Sequence, residues 1–259
     1  MNKFSSVLAA AGLLVVSTSR AQFAGSVVAY TQGSGVAAGY NNPNTAVGAP
    51  TAFIGYQNAD PFNPPYQAGD IVGLGAGGSL TLQFDTPIQN MAAHPFGLDF
   101  IIFGHAGFNE NFDNETATDG SLFTGGTSTV RVSVSADGTT FYALNPLLTP
   151  GVDGLFPTDA SGNPFLPVNP ALTAADFAGK NLAGIRTLYA GSAGGAGFDL
   201  AWAVDGSNQS MALSYVKYLR LEGLSGTAYI DAVSVVPEPA TWTFALVGGM
   251  LTWQVRRKK

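Results

Sequence analysis

The sequence has no cysteine, only two histidines, and few cationic residues in its central part. The absence of cysteine excludes disulfides, thiolate metal sites and cysteine nucleophiles. Residues 22–236 contain five Lys and Arg residues against sixteen Asp and Glu residues, a net charge of −11. A domain this acidic repels nucleic acid and anionic membrane surfaces, so neither is expected as its partner.

Helical patterns are also scarce, whereas the chain has 33 glycines and 15 prolines, which favour turns and short strands. Only residues 173–178 are predicted to be helical, with Thr173 as the cap and Asp176 at the capping-box position. Period-two alternation predicts strands over 79–85 and 128–135, and Asp137-Gly138 predicts a hairpin turn to a partner strand. Further strands are predicted over 26–31, 97–104, 139–144, 197–204, 215–222 and 228–236. The sequence therefore predicts an all-β domain, a jelly-roll-like β-sandwich of eight to ten strands.

The N-terminus is typical of a secretory signal peptide. Lys3 gives a positive start, Val7 to Val16 form a short apolar stretch, and Ser19-Arg20-Ala21 is a small-x-small cleavage site. Residues 1–21 are therefore predicted to direct export by the Sec machinery. The mature β-sandwich ectodomain is predicted to span residues 22–236.

The C-terminus combines three features in order: a Pro-Glu-Pro turn, an apolar segment over 240–255, and four cations. As a helix the apolar segment would be about 24 Å long, slightly short of a hydrocarbon core of roughly 30 Å. The cations resist translocation, so the segment is predicted to be a transmembrane helix in the inner membrane, with the ectodomain facing outward. The residues outside the apolar segment that define this tail, 237–259, are Pro237, Glu238, Pro239, Arg256, Arg257, Lys258 and Lys259.

This tail resembles the PEP-CTERM sorting signal of Gram-negative bacteria that secrete exopolysaccharide. The resemblance implies recognition by an exosortase-like membrane protease. It also implies that the protein is first membrane-anchored and then delivered to the cell surface or extracellular matrix. The alternative is an ordinary, unprocessed membrane anchor.

The central part resembles surface proteins that carry this tail. The segments that carry the resemblance are GLGAGGSLTLQFDTPI, GLDFIIFG, VRVSVSADGTTFYAL and YVKYLRLEGLSGTAYIDAVSVV. Their arrangement is similar to galactose-binding-like (discoidin-type) sandwiches. The resemblance implies that fold, in which a cleft among the edge loops often binds sugar.

Catalytic patterns are weak. Gly73, Gly75 and Gly78 match GxGxxG, but a strand follows instead of the helix that nucleotide binding requires, so a tight turn is predicted. Ser192 lacks the strand-turn-helix setting of a nucleophile. His94 and His105 are predicted to be hydrogen-bonded surface residues.

The acidic residues give no catalytic motif either. Asp99 and Asp199 are predicted to cap neighbouring loops by accepting backbone N–H bonds, and Asp231 is a lesser candidate for a metal site.

Two loop regions have ligand-binding chemistry. Aromatic rings stack on sugars while amides bond hydroxyl groups, so a saccharide site is predicted at Tyr40, Asn42, Tyr56, Asn58 and Tyr66. Hard oxygen ligands cluster in a second loop, where Glu110, Asp113, Glu115 and Asp119 are candidate Ca²⁺ ligands.

The sequence thus favours a non-enzymatic, exported surface or matrix protein that binds exopolysaccharide. Two alternatives remain open: a polysaccharide-active hydrolase or lyase, and a calcium-stabilised structural coat protein.

Overall fold

The computed structural model describes residues 22–111 and 117–238, which lie within one compact unit, Ala21–Glu238. Thirteen strands and two short α-helices occur in these two ranges. The strands are β1 Gln22–Phe23, β2 Ser26–Thr31, β3 Val72–Gly75, β4 Ser79–Gln89, β5 Phe100–Gly104, β6 Gly107–Phe108, β7 Leu122–Thr124, β8 Thr129–Ser135, β9 Tyr142–Leu144, β10 Ala196–Phe198, β11 Ala203–Val204, β12 Tyr215–Ser225 and β13 Thr227–Val235. The helices are α1 Ala174–Phe177 and α2 Leu182–Tyr189.

Two antiparallel sheets account for most of these strands. The first sheet has the order β1-β13-β5-β10, and β3 also pairs with β13. The second sheet has the order β11-β9-β8-β12-β4-β2, and β6 and β7 form a separate small pair. The described part of the chain is therefore mostly antiparallel β-structure, as expected for an all-β sandwich.

Side chains from both sheets form one hydrophobic core. Leu80, Leu82 and Phe84 of β4 alternate toward it and are fully buried, as the period-two pattern predicted. Phe100 of β5 and Ile230 of β13 belong to the same cluster. Each such side chain contributes about 1.5–3 kcal/mol through burial.

The helices partly match the prediction. In α1, Asp176 accepts hydrogen bonds from both the N–H and the hydroxyl of Thr173, which confirms the predicted cap. Helix α2 was not predicted, because it has only eight residues and one of them, Gly184, is a weak helix former. Two features of the sequence could have indicated this helix. Asn181 is a favourable N-cap residue whose side chain accepts the Gly184 N–H, and the buried Ile185 and Tyr189 are four residues apart.

Three predicted strands are shorter than expected. The predicted strand 97–104 begins only at Phe100, because the 3₁₀ turn Pro95–Gly97 precedes it. A 3₁₀ turn over Leu200–Trp202 divides the predicted strand 197–204 into β10 and β11. Strand β9 begins at Tyr142 because the Asp137 carboxylate accepts the N–H groups of Thr139 and Thr140 and holds them in the turn.

The predicted membrane segment 240–255 and the signal peptide 1–21 lie outside the described residues. Within the part of the chain that the structure describes, no helix has the length and apolar character needed to cross a membrane.

Asp231 of β13 is buried beneath the loop that contains Thr51. Its carboxylate accepts hydrogen bonds from the Thr51 N–H, at 2.9 Å, and from the Thr51 hydroxyl, at 2.8 Å. Burial raises the pKa of Asp231 to about 7; the Thr51 hydrogen bonds act in the opposite direction, and the nearby charge of Asp70 adds to the rise. Asp231 is therefore a buried acid that binds a proton near neutral pH.

This protonation predicts a pH-dependent stability. Because the folded pKa lies above the ordinary value of 3.8, the contribution of Asp231 is fully present below about pH 4 and is lost as the pH rises through about 7. The expected loss is on the order of 4 kcal/mol of unfolding free energy. Urea unfolding of the wild type and of Asp231→Asn across this range measures it. An equal decline in both proteins would contradict the prediction.

Candidate functional site

Of the predicted saccharide residues, Tyr40 lies on a loop that contacts β3 of the first sheet. Tyr40 accepts the Gly73 N–H through its backbone carbonyl, at 2.9 Å. Its hydroxyl donates to the carbonyl of Tyr66, at 2.6 Å. The segment ending at Tyr40 is thereby joined both to the sheet and to the loop that contains Tyr66.

The glycines of the GxGxxG pattern make this close approach possible. A Cβ atom on Gly73 would lie 2.2 Å from a methyl carbon of Val36, and one on Gly75 would lie 2.0 Å from the carbonyl oxygen of Ser34. Both glycines belong to β3, and Gly78 precedes β4, so the predicted turn between strands is confirmed. The glycines therefore seat the loop that positions Tyr40.

Tyr56 and Tyr66 present their rings to solvent, with 62% and 47% of the residue exposed. The two segments that contain them are held together, because the Gln67 side-chain amide donates to the Ile54 carbonyl at 2.6 Å. The Tyr56 hydroxyl also lies 3.4 Å from the Asn63 side-chain oxygen. We refer to Tyr56 and Tyr66 with the loops around them as the loop surface.

The other predicted residues of this set have different roles. Tyr40 is half-buried and uses its hydroxyl internally, so it supports the loop surface instead of offering a free ring. The Asn42 side-chain oxygen accepts the Asn44 N–H and caps the 3₁₀ turn Pro43–Ala46. Asn58 is exposed and its backbone bridges to Phe53. Of the five, the two exposed tyrosines and Asn58 therefore remain open to a ligand.

The sequence did not indicate Tyr229 and Asp153, which adjoin this region. The Tyr229 ring packs edge-on against Tyr40, with centroids 5.0 Å apart, and tilted against His105, with centroids 4.6 Å apart. Tyr229 alternates with the inward-facing Ala228 and Ile230 of β13. That alternation was the available signal for an outward aromatic residue.

Asp153 fixes the orientation of His105. Its buried carboxylate accepts the His105 Nδ1–H at 2.5 Å and the His105 backbone N–H at 2.8 Å. It also accepts the Tyr229 N–H of β13 at 3.2 Å. A carboxylate partner requires the proton on Nδ1, so the neutral ring presents the lone pair of Nε2 outward.

His94 corrects the prediction that both histidines are surface residues. Its side chain is only 1% exposed, and its Nδ1 lies 2.8 Å from the Asp99 carboxylate. The same carboxylate accepts the N–H groups of Met91 and Leu200, while Asp199 accepts the N–H of Ala201. Asp99 and Asp199 therefore cap loops, as predicted.

Ser192 also has a structural role. It is buried, and its hydroxyl oxygen accepts the Gly194 N–H at 3.0 Å. This contact stabilises the glycine turn that leads to β10.

The candidate calcium loop is described only in part. Asp113 and Glu115 lie outside the described residues. Asp119 is exposed and accepts the N–H and hydroxyl of Ser121, which lowers its pKa. In residues 22–111 and 117–238, no group of three or more His, Asp or Glu side chains is arranged to hold a metal ion. Glu110 and Asp119 therefore form no such group with other described residues.

Of the sorting motif, Pro237 and Glu238 follow β13 in the described part of the chain. Pro239, Arg256, Arg257, Lys258 and Lys259 lie outside it.

No protein-family model matches this chain, and no curated protein matches it either.

The Asp153 contact predicts a defined tautomer for His105. In ¹⁵N NMR spectra at alkaline pH, neutral His105 is expected as the Nδ1–H form, because the carboxylate accepts that proton. Asp153→Asn is expected to shift the population toward the Nε2–H form. An Nε2–H tautomer in the wild type would contradict the hydrogen-bond assignment.

Proposed function

We propose that this is an exported, non-enzymatic surface or matrix protein that binds polysaccharide. In this proposal its ectodomain is a jelly-roll-like, discoidin-type β-sandwich tethered to the inner membrane by residues 237–259. An exosortase-like protease then processes the tail and delivers the protein to the cell surface or matrix. The observation that carries the binding role is the loop surface, where two tyrosines are exposed on segments joined by hydrogen bonds.

The chemistry of the loop surface supports a saccharide ligand. An exposed aromatic ring covers the apolar face of a sugar, and nearby amides bond its hydroxyl groups. Tyr56 and Tyr66 offer the rings, and the exposed Asn58 offers an amide. The loops are held by internal hydrogen bonds, so less conformational entropy is lost when a ligand binds.

One end of the sandwich supports a tether at the membrane. The Val236 N–H, just after β13, donates to the Asp99 carbonyl, and the Asp99 carboxylate joins the loops over 90–98 and around Leu200. Residues 90–98, 145–152 and 206–216 contain no Asp, Glu, Lys or Arg, although the domain is strongly acidic.

Backbone hydrogen bonds join two of these segments to each other and the third to the turn before β11. The Asn90 N–H donates to the Ser214 carbonyl, and the Asn145 N–H donates to the Trp202 carbonyl. Phe96, Leu147 and Leu148 in these segments are 57%, 90% and 53% exposed. An uncharged, apolar end suits proximity to lipid better than an acidic one would.

The hydrolase or lyase alternative draws less support from the described residues. The acids in unusual settings, Asp99 and Asp231, are buried and accept hydrogen bonds from loop backbone. A glycosidase needs two acids that face each other across a cleft open to substrate. We therefore favour binding without catalysis.

Location of a tagged full-length protein tests the sorting part of the proposal. The wild type is expected in the membrane first and then at the surface or in the matrix. Deletion of residues 237–259 is expected to leave an exported protein that neither compartment retains. A matched variant, Pro237→Ala with Pro239→Ala, keeps the apolar segment and the cations, and it is expected to remain in the membrane. Unchanged delivery of both variants would contradict a sorting role.

Binding of the full-length chain, purified in mild detergent, to a polysaccharide array with calcium present tests the binding part. Tyr56→Ala and Tyr66→Ala are each expected to weaken binding about tenfold, because each removes a stacking ring. Tyr215→Ala is the matched control, since Tyr215 is 44% exposed but lies on β12. A blank array, or equal losses in all three variants, would overturn the saccharide role of the loop surface.

A further inference from the structure

The second sheet has a cavity on the face that points away from the core. On β8 and β12, Val132 and Leu221 point inward, so Arg131, Ser133 and Arg220 point outward. The cavity has a volume of about 300 Å³. Its lining residues are Arg131, Ser133, Phe141, Ala143, Val204, Asp205, Gly206, Arg220 and Glu222.

Two of the five cationic residues between positions 22 and 236 line this cavity, although the domain is strongly acidic. Of the remaining three, Arg186 is bound by the Asp159 carboxylate through two hydrogen bonds. Asp205 and Glu222 also line the cavity, so its formal charge is zero, whereas residues 22–236 together carry −11. An anion therefore meets two guanidinium groups here and less net repulsion than over the rest of the domain.

The Arg220 guanidinium is held in place but not neutralised. Its central carbon lies 3.6 Å from the centroid of the Phe141 ring, and its Nε donates to the Thr81 hydroxyl at 3.3 Å. It forms no ion pair with any residue in the described ranges. Its terminal N–H groups therefore remain available as donors in a fixed orientation, which suits the planar, bidentate binding of a carboxylate.

Arg131 adds a second guanidinium, which forms an ion pair with Glu222. Its nearest carboxylate oxygen belongs to Glu222, 3.7 Å from its Nη1, which is longer than a hydrogen bond. The Arg131 side chain is 51% exposed. Arg131 and Glu222 are also register partners on β8 and β12, so the sheet itself keeps both groups at the cavity.

The other lining groups indicate which kind of anion fits. Asp205 and Glu222 place negative charge beside the arginines, so a doubly charged phosphate meets more repulsion than a singly charged carboxylate. Their oxygens and the Ser133 hydroxyl can accept hydrogen bonds from hydroxyl groups. Ala143, Val204 and Phe141 supply apolar surface, and about 300 Å³ is at the lower end of ligand pockets.

We propose that this cavity is a second saccharide site, distinct from the loop surface, and that it binds the uronic acid units of an acidic polysaccharide. Arg220 and Arg131 bind the sugar carboxylate. Glu222, Asp205 and Ser133 accept hydrogen bonds from the ring hydroxyl groups. This inference deepens the proposed function by naming an acidic polymer as the substrate class, but the site does not depend on Tyr56 or Tyr66.

NMR of the ¹⁵N-labelled full-length chain in mild detergent tests the site. Glucuronate, galacturonate and mannuronate are titrated beside glucose, galactose, mannose and inorganic phosphate. At least one uronate is expected to shift the Nε–H signals of Arg131 and Arg220, whereas its neutral counterpart and phosphate leave them unchanged. Failure of all three uronates, or equal binding of phosphate or of the neutral sugars, would overturn the proposal.

Matched variants locate the site. Arg131→Gln and Arg220→Gln are each expected to weaken uronate binding at least about tenfold, since each removes a charged hydrogen-bond donor. Lys217→Gln removes the same charge from β12 outside the cavity and is expected to change the affinity less than about twofold. Equal losses in all three variants would indicate a general charge effect and overturn the assignment. If Arg220→Gln unfolds, Arg131→Gln decides, because its side chain is half exposed.

The two proposed sites can fail separately. Tyr56→Ala with Tyr66→Ala is expected to keep the uronate shifts of the cavity. A loss of those shifts in this variant would contradict two independent sites. A blank response at the loop surface together with intact uronate shifts would retain the cavity and overturn only the loop surface.

Discussion

Three buried carboxylates, those of Asp99, Asp153 and Asp231, join the long loops of this protein to its first sheet. Each is at most 2% exposed, and each accepts loop or strand N–H groups from residues distant in sequence. An unsatisfied buried hydrogen-bond partner costs about 1–3 kcal/mol, so loss of any of these contacts is expected to destabilise the fold. Because the chain has no cysteine, no disulfide can join these segments, and the buried acids link them instead.

The same contacts determine where ligand-binding chemistry can occur. Because Asp153 bonds both His105 and the backbone of Tyr229, it aligns the aromatic residues that support Tyr40. Tyr40 in turn holds the loop of Tyr66. The exposed rings of the loop surface therefore rest on a chain of buried contacts that begins in the sheet. Acids in these settings are structural, which separates them from the open acid pairs of glycosidases.

Charged residues are distributed unevenly over the described part of the chain, and the two proposed roles, binding and tethering, use regions of different charge. Residues 90–98, 145–152 and 206–216 contain no Asp, Glu, Lys or Arg, and Leu147 and Leu148 among them are exposed. The outward face of the second sheet concentrates Arg131 and Arg220. An acidic polysaccharide would be repelled by most of the domain and held at this cavity, while the uncharged end suits a tether. Binding and tethering would then use different surfaces of one sandwich.

The sequence by itself determined the strands and much of the local chemistry. Period-two alternation located β4 and β8, the Thr173 cap located α1, and the glycines of β3 indicated a turn, because these signals depend on neighbours along the chain. The tail and signal peptide are also sequence features, and their roles stay predictions. Tertiary structure decided what depends on distant partners: the burial of His94, the pairing of Asp153 with His105, and the withdrawal of Tyr40 into a supporting role. It also brought Arg131 and Arg220 together, because strand register places side chains from separate segments on one face.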